Sequence, residues 1–173
     1  MWKVTLKDGR VVKLRFLTAD DKEKLFRMFS LLSEEALEWS GAPYTSDSIL
    51  RWVNNISNMI PLVAENQSRI VGYAAIGKSP IPRKKGNADL AVYLHQDFHS
   101  VGLGTAMTEK IIELARKEKV HRIELTVVKE NNAAIRLYEK FGFKLEGLSK
   151  DAFYGKDGKY HDIISMGLIL PQC

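Results

Sequence analysis

The segment Gln96–Met107, QDFHSVGLGTAM, joins a strand to a helix through two glycines. Before it, Ala88–Leu94 is a mostly apolar run with the length of a buried strand. After it, Leu103–Lys119 carries apolar residues on one stripe, which predicts an amphipathic helix. Gly102 and Gly104 let the backbone approach a ligand closely, while the helix N-terminus offers unpaired N–H groups and partial positive charge. The segment therefore predicts a cradle for an anion such as a phosphate.

Two common phosphate loops do not fit this segment. The nucleoside-triphosphate loop needs Lys followed by Ser or Thr after its last Gly, where this chain has Thr105 and Ala106. The dinucleotide fingerprint needs a small residue where Met107 stands, although Glu124 roughly fits its acidic position. A glycine-rich turn that binds no ligand stays an alternative for so short a motif.

A second motif, VKENNAAIRLYEKFGF at Val128–Phe143, follows one helix and one strand later. Asn131 or Asn132 caps a predicted helix that stops at Gly142. Asn131 and Tyr138 are two helical turns apart and so lie near one face. An Asn amide can hold a polar group of a ligand, and a phenol can donate a proton to a leaving group. The alternative is that Asn131 is only a cap and Tyr138 only a core aromatic.

Together the two motifs resemble the GNAT superfamily of acetyl-CoA-dependent N-acetyltransferases. The family's cofactor loop, Arg/Gln-x-x-Gly-x-Gly/Ala, matches HSVGLG at His99–Gly104 except at the first position. Its second element, Asn-x-x-Ala-x-x-Leu-Tyr followed by Gly-Phe, matches NNAAIRLY at Asn131–Tyr138 and GF at Gly142–Phe143. The resemblance extends from about Leu14 to Leu170. The segment after Phe143, KLEGLSKDAFYGKDGKYHDIISMGLIL, looks like that of the branch that acetylates ribosomal-protein N-termini, polyamines and some amine antibiotics or herbicides.

The resemblance implies an α/β fold with a mixed, mostly antiparallel sheet of about seven strands, one splayed pair of strands and about four helices. The pantetheine arm of acetyl-CoA would lie between the splayed strands, the diphosphate would bind main-chain amides of the cradle, and Tyr138 would protonate the departing thiolate. The implied cofactor contacts, besides Tyr138, are Val92, Tyr93, Leu94, His99, Ser100, Val101, Gly102, Leu103, Gly104, Thr105 and Asn131.

Length and composition agree with a single domain over residues 1–173. The chain is 45% hydrophobic, which is enough to bury a hydrophobic core without disulfide bonds or structural metals. Its one cysteine, Cys173, excludes a disulfide framework and a cysteine metal site, and we expect no metal. We see no signal peptide and no membrane-spanning run, so a cytoplasmic location is expected. The formal charge of +5 suits a polyanionic cofactor but is too dispersed to indicate nucleic acid.

The remaining pattern predicts a strand hairpin at the N-terminus, turned by Asp8 and Gly9, and further helices and strands before the cradle. Their expected bounds are strands Lys3–Leu6, Val11–Phe16, Pro61–Ala64 and Ile70–Ile76, helices Lys22–Leu32 and Ile49–Ile56, and a later strand His121–Val128.

The implied reaction is direct attack of an amine on the thioester, and it needs a base. A lysine-type amine has a pKa of about 10.4 and must lose a proton before it attacks. In ribosomal-protein alanine acetyltransferases a Glu five positions before the motif Asn serves, but Thr126 stands here. Asp89 is the preferred substitute, since it lies on the strand before the cradle, and Glu124 is a weaker candidate. An ordinary strand carboxylate stays an alternative for Asp89.

His99 departs from the family pattern, in which Arg or Gln donates to the diphosphate. A protonated imidazole could do the same, but histidine is only partly charged near neutral pH. The hypothesis is that acetyl-CoA affinity weakens as the pH rises through the titration of His99.

The acceptor is a primary amine, of a peptide or of a polyamine-like small molecule. Glu34, Glu35 and Glu38 follow the first helix, where this fold builds its acceptor groove, and Asp162 matches an acidic position of the branch. Acidic walls would suit a cationic amine. A solvated helix face is the alternative for the glutamates. Trp39, Tyr44 and Trp52 either line a lid or pack in the core.

Two functions stay open at this point. The first is an acetyl-CoA-dependent N-acetyltransferase with an amine acceptor. The second is a CoA-binding module or sensor that has lost turnover, which the departures at Thr126 and His99 suggest. The sequence leaves a homodimer open and does not give the acyl-chain preference.

Overall fold

The computed structural model describes residues 1–171, which form one eight-stranded sheet and four α-helices. Cys173 lies outside the described residues. The elements in chain order are β1 Trp2–Thr5, β2 Val11–Phe16, α1 Lys22–Ser30, α2 Ser46–Asn54, β3 Met59–Asn66, β4 Arg69–Lys78, β5 Asn87–Leu94, α3 Leu103–Lys117, β6 Arg122–Val128, α4 Asn132–Lys140, β7 Lys144–Tyr154 and β8 Tyr160–Ile169.

The sheet confirms the predicted architecture. Its strand order is β1-β2-β3-β4-β5-β6-β8-β7, and the neighbours are antiparallel except β5 and β6. There is one strand more than the resemblance implied, because the N-terminal hairpin places β1 at the edge of the same sheet.

The strands β5 and β6 splay apart after a short parallel contact. They pair only from Asn87 with Arg122 to Asp89 with Glu124. On its other edge, β5 stays paired to β4 as far as Leu94. The two strands therefore diverge from a fork at Asp89 and Glu124 and leave a gap in the middle of the sheet.

Hydrogen bonding along β5 shows which groups face this gap. The His95 N–H donates to the Val71 carbonyl at 2.9 Å, and the Asn87 carbonyl accepts from the Ser79 N–H at 2.9 Å. Backbone groups alternate along a strand, so odd-numbered residues of β5 bond to β4. Even-numbered residues, including Val92 and Leu94, therefore direct their N–H and C=O groups toward the gap.

Each face of the sheet carries its own core. The helices α3 and α4 cover one face, where α3 residues such as Met107 and Ile111 share a core with apolar side chains of the sheet, and α3 packs on β3, β4 and β5. The helices α1 and α2 cover the other face, where Phe29 and Ile49 pack near Tyr73. A ligand in the gap would thus be reached from both layers of helices.

The helix bounds differ from the predicted ones at four ends, one of which is the end of α2 at Asn54 rather than Ile56. The first helix ends at Ser30 rather than Leu32, and α3 ends at Lys117, shortly before the left-handed Lys119 with φ 55°. The second helix begins at Ser46 rather than Ile49, because the Thr45 hydroxyl accepts from the Ser48 N–H at 3.2 Å and so caps it earlier. Apolar periodicity alone could not locate that polar first turn.

Candidate active site

A cleft of about 1320 Å³ passes through the gap and opens on both faces of the sheet. On the α3–α4 side it is lined by the cradle and α4; on the opposite side it is lined by the segment after α1. The lining residues that the sequence had singled out are Glu35, Glu38, Trp39, Tyr44, Asp89, Val92, Tyr93, Leu94, His99, Ser100, Gly102, Gly104, Thr105, Glu124, Thr126, Asn131 and Tyr138.

The cradle exposes backbone without side chains at Gly102 and Gly104, where α3 begins. Gly102 is the N-cap with φ 92°, a left-handed conformation that suits glycine. A methyl group at Gly104 would lie 3.2 Å from Leu94 Cδ1 and 3.4 Å from Leu137 Cδ2, so a side chain there would fill the floor of the cleft. Leu103 is fully buried, and hence only its backbone could meet a ligand. The cradle thus offers main-chain amides, as an anion site requires.

His99 makes a contact that the sequence could not reveal. Its Nε2 lies 3.1 Å from the Leu94 carbonyl oxygen, at the end of β5. Because a carbonyl only accepts, this geometry places a proton on Nε2. A neutral imidazole can make the same bond, so this role of His99 does not require charge. The side chain holds the corner where β5 enters the cradle.

Asn131 and Tyr138 each help to build α4 and also line the cleft. The Asn131 Oδ1 accepts from the Ala134 N–H at 3.2 Å, so Asn131 caps α4. Its amide nitrogen is not used in this cap, and Asn131 also lines the cleft. Tyr138 is 8% exposed, packs on Phe143 with ring centroids 5.6 Å apart, and borders the cleft. Burial raises the pKa of Tyr138 to about 12, so the phenol is a proton donor at neutral pH.

A pair of carboxylates marks the fork of the gap. Asp89 and Glu124 stand opposite each other on β5 and β6, and both line the cleft. Burial and the charge of Glu124 raise the pKa of Asp89, against an opposing effect of Lys84. Within residues 1–171, the Asp89 side chain makes no ion pair or hydrogen bond, whereas Glu124 lies 3.3 Å from Arg122 Nη2. Arg122 also binds Glu146 through Nη1 at 2.8 Å. Asp89 is therefore the less restrained of the two carboxylates.

The acidic residues predicted on the acceptor side divide into two groups. Glu35 and Glu38 line the cleft, on the turns that follow α1. Glu34 does not line it. Asp162 also lies outside the lining, because its carboxylate accepts from the Asp151 N–H at 3.1 Å and lies 3.6 Å from Lys129 Nζ. Asp162 thus supports the irregular segment of β7 rather than the cleft wall.

The aromatic residues on the acceptor side of the cleft differ in whether they pack in the core or also line the cleft. Trp52 packs between Phe29 and Tyr73 in the core, as the alternative interpretation expected. Tyr44 contacts Phe29 and also lines the cleft. Burial, together with the Tyr44 hydroxyl, raises the pKa of the Tyr93 phenol far above its ordinary value. The Tyr93 phenol therefore stays neutral at any ordinary pH.

A cluster that the sequence did not predict holds Trp39 at the cleft mouth. Its ring lies 5.1 Å from that of His161 and 6.2 Å from that of Phe153. The His161 Nε2 lies 3.0 Å from Asp157, and Nδ1 lies 3.3 Å from Glu130. The Asp157 carboxylate, opposed by burial and aided by Glu130, raises the pKa of His161. The only sequence signal was the spacing of Asp157 and His161 across the β7–β8 turn.

Comparison with known proteins agrees with this geometry. Residues 25–143 match the family described as "Acetyltransferase (GNAT) family". The L-amino acid N-acetyltransferase AaaT of Escherichia coli K12 is 30% identical over 131 residues, covering 73% of this chain and 79% of that protein. The chain belongs to the GNAT family and is an N-acetyltransferase.

Solved structures extend the likeness over nearly the whole chain. A GNAT acetyltransferase of Streptococcus pneumoniae has a TM-score of 0.82 at 26% identity, covering 92% of this chain and 99% of that one. The ribosomal-protein-alanine N-acetyltransferase of Brucella melitensis has a TM-score of 0.78 at 26% identity, covering 91% and 99%. The protein yncA of Salmonella typhimurium, solved with its cofactor acetyl-CoA, shares the fold at TM-score 0.78 and 23% identity, covering 94% and 95%.

Two further features concern the described residues. Within residues 1–171, no helix is long and apolar enough to cross a membrane. In the same part of the chain, no three His, Cys, Asp or Glu side chains are grouped so that they could hold a metal ion.

Proposed function

We propose that the protein transfers the acetyl group of acetyl-CoA to the primary amine of a cationic acceptor, a basic peptide or a polyamine-like molecule. The observation that carries this proposal is the open edge of β5, which begins at the Asp89–Glu124 fork and runs to the cradle. An elongated ligand with an anionic end and hydrogen-bonding amides fits such a site.

The residues present fit acetyl-CoA. The amides of residues 100–105 would hold the diphosphate, since Gly102 and Gly104 leave their surface bare. The gap-facing groups of Val92 and Leu94 would bond the pantetheine arm as a strand would. Asn131 would add its amide from α4. When bound, acetyl-CoA supplies an activated acetyl group as a thioester.

The chain's own groups provide the proton transfers. Asp89, with its raised pKa, accepts a proton from the ammonium of the acceptor, directly or through water. The amine nitrogen then bonds to the acetyl carbon and the carbon–sulfur bond breaks. The Val92 N–H faces the position where negative charge develops on the acetyl oxygen. Tyr138 gives its proton to the departing sulfur, and the second proton of the acylated nitrogen passes through water to the Tyr138 phenolate, which restores the phenol; Asp89 returns its proton to solvent.

The charge of the acceptor side favours a cation. Glu35, Glu38 and Asp89 line it, and none of them forms an ion pair within residues 1–171. The cation Arg122 is already bound by Glu124 and Glu146. A carboxylate on the acceptor would meet net negative charge, whereas a second ammonium group would be attracted.

A second acceptor class is a free L-amino acid, which the name of the Escherichia coli relative favours. The remaining alternative is a CoA-binding module without turnover, suggested by Thr126 at the position of the branch's glutamate. These three cases predict different reactions with the same set of amines.

The test is release of free thiol from acetyl-CoA in the presence of a polyamine, a peptide with a basic N-terminal region, and a neutral L-amino acid. We expect kcat/KM to be highest for the polycationic acceptors. Preference for the neutral amino acid would instead support the second acceptor class. Tight acetyl-CoA binding by calorimetry without thiol release for any acceptor would support the binding module.

A further inference from the structure

The N-terminal hairpin is docked onto the loop that enters the cradle. The Lys7 N–H donates to the Val101 carbonyl at 3.0 Å. The Arg10 Nη2 donates to the Asp97 carbonyl at 2.6 Å, and the guanidinium lies 3.9 Å from the centre of the Phe98 ring. These three contacts bridge about ninety residues of sequence, since Arg10 and Asp97 are 87 positions apart. The hairpin turn therefore has a defined place beside the anion cradle.

The turn itself is held in shape. Asp8 accepts from the Arg10 N–H at 3.1 Å and from Arg10 Nε at 2.6 Å. Gly9 has φ 85°, which suits glycine in a tight turn. Arg10 thus links the turn, through Asp8, to the cradle loop, through Asp97. Lys7 directly precedes Asp8 in this turn.

This docking brings the Lys7 side chain to the start of α3. A methyl group at Gly102 would lie 3.7 Å from Lys7 Cγ and 3.8 Å from Lys7 Cε. Lys7 lines the cleft. Within residues 1–171 its ammonium group makes no ion pair or hydrogen bond, unlike that of Lys117, which lies 2.6 Å from Glu113. Lys7 is a cation available to a ligand at the helix N-terminus.

Two more cations approach the same place from α4. Arg136 and Lys140 line the cleft, and neither forms an ion pair within the described part of the chain. Lys7 and Lys140 also border a smaller depression of about 240 Å³ beside Gly102 and Thr105, which Glu109 lines as well. Lys7 and Lys140 therefore lie beside the neutral amide donors at the start of α3, and Arg136 lines the same cleft one turn earlier on α4.

We propose that Lys7, together with Arg136 and Lys140, binds phosphate groups of coenzyme A, so that the N-terminal hairpin is part of the cofactor site. This inference rests on the proposed function. Backbone amides can satisfy the oxygens of a diphosphate, but they are neutral, whereas coenzyme A carries several negative charges on its diphosphate and 3′-phosphate. An ammonium group is a strong point charge for such oxygens. Arg10 acts as a positioning residue that holds the turn in place.

The experiment measures dissociation constants by calorimetry for coenzyme A, for dephospho-coenzyme A, which lacks the 3′-phosphate, and for pantetheine, which lacks all phosphates. Wild type is compared with Lys7→Ala, and Lys3→Ala is the matched control because Lys3 is exposed on β1 and lines neither depression. We expect Lys7→Ala to weaken coenzyme A binding about fivefold, as loss of one exposed charge pair would. Binding of pantetheine should not change.

The two nucleotide ligands locate the contact. If Lys7→Ala weakens coenzyme A but not dephospho-coenzyme A, Lys7 binds the 3′-phosphate; if it weakens both equally, Lys7 binds the diphosphate. Unchanged coenzyme A binding in Lys7→Ala, or an equal loss in Lys3→Ala, overturns the inference while leaving the proposed function standing. Wild-type protein that does not bind coenzyme A at all removes both.

Discussion

The two ends of the cleft are built in different ways. The cradle end uses backbone amides, two glycines at the start of α3 and three cleft-lining cations that form no ion pair within residues 1–171. The acceptor end uses side chains: the glutamates after α1, the fork carboxylates and a tryptophan held by a distant histidine. The backbone amides of the cradle end suit one kind of anionic cofactor. At the acceptor end, substitution of side chains can change which acceptor binds. We infer that cofactor and acceptor preferences can vary independently in this chain.

We expect the largest effect on activity from a substitution of Tyr138, which borders the cleft. Tyr138→Phe removes the proposed proton donor to the departing sulfur, and we expect kcat to fall about 10²- to 10³-fold with little change in acetyl-CoA affinity. The matched control is Tyr73→Phe, which removes another buried hydroxyl, one that has no hydrogen-bond partner among residues 1–171. Steady-state kinetics and calorimetry measure both effects. An equal loss of kcat in the two variants would mean that packing, rather than proton donation, is responsible.

The pH dependence follows from the pKa of Tyr138. Because burial raises it to about 12, the phenol stays protonated as the pH rises through the neutral and mildly alkaline range. A decrease of wild-type kcat between about pH 8 and 10, absent in Tyr138→Phe, would contradict this assignment.

The next effect distinguishes the two carboxylates at the fork. Asp89→Asn should lower kcat/KM about 10²-fold, since it removes the base. Glu124→Gln should retain more activity and shift the acidic limb of the pH profile to lower pH. The sign follows because the charge of Glu124 raises the pKa of Asp89, so its loss lets Asp89 ionise earlier. A larger loss in Glu124→Gln than in Asp89→Asn would exchange their roles.

A smaller effect is expected at the acceptor wall. The double variant Glu35→Gln/Glu38→Gln should raise KM for a polyamine about fivefold or more, because each removed charge weakens an exposed electrostatic attraction. The KM for acetyl-CoA should stay the same. Glu34→Gln is the control, because it removes the same charge from a neighbouring position outside the cleft. If all three glutamates contribute equally, long-range charge rather than contact explains the preference.

The smallest effect concerns His99. His99→Ala should weaken acetyl-CoA binding only about threefold, because it removes one hydrogen bond that holds the Leu94 carbonyl. The earlier hypothesis predicts in addition that wild-type affinity falls as the pH rises and that His99→Gln abolishes this dependence. An unchanged pH dependence of binding in His99→Gln would show that His99 acts through position and not through charge.

Much of the structure at the cofactor end of the cleft could be predicted from the sequence. The cradle and the α4 motif each occupy a short continuous segment, so glycines and cap residues at fixed spacing indicate their backbone geometry directly. Helix ends were less readable where polar residues decided them, as at Thr45. Lys7 could not be recognised as a site residue, since it is 95 positions from Gly102 and its hairpin carries only the turn signal of Asp8 and Gly9, which indicates no ligand site.

The sequence by itself determined the family, the alternation of the sheet and the amide cradle, because these depend on local spacing and on periodic burial. Only the tertiary structure decided that Glu38 faces the cleft whereas Glu34 and Asp162 do not, and that Lys7 reaches the start of α3. Such positions depend on how distant segments pack. One residue of shift on a turn reverses which side chain faces a ligand, and no local pattern specifies that choice.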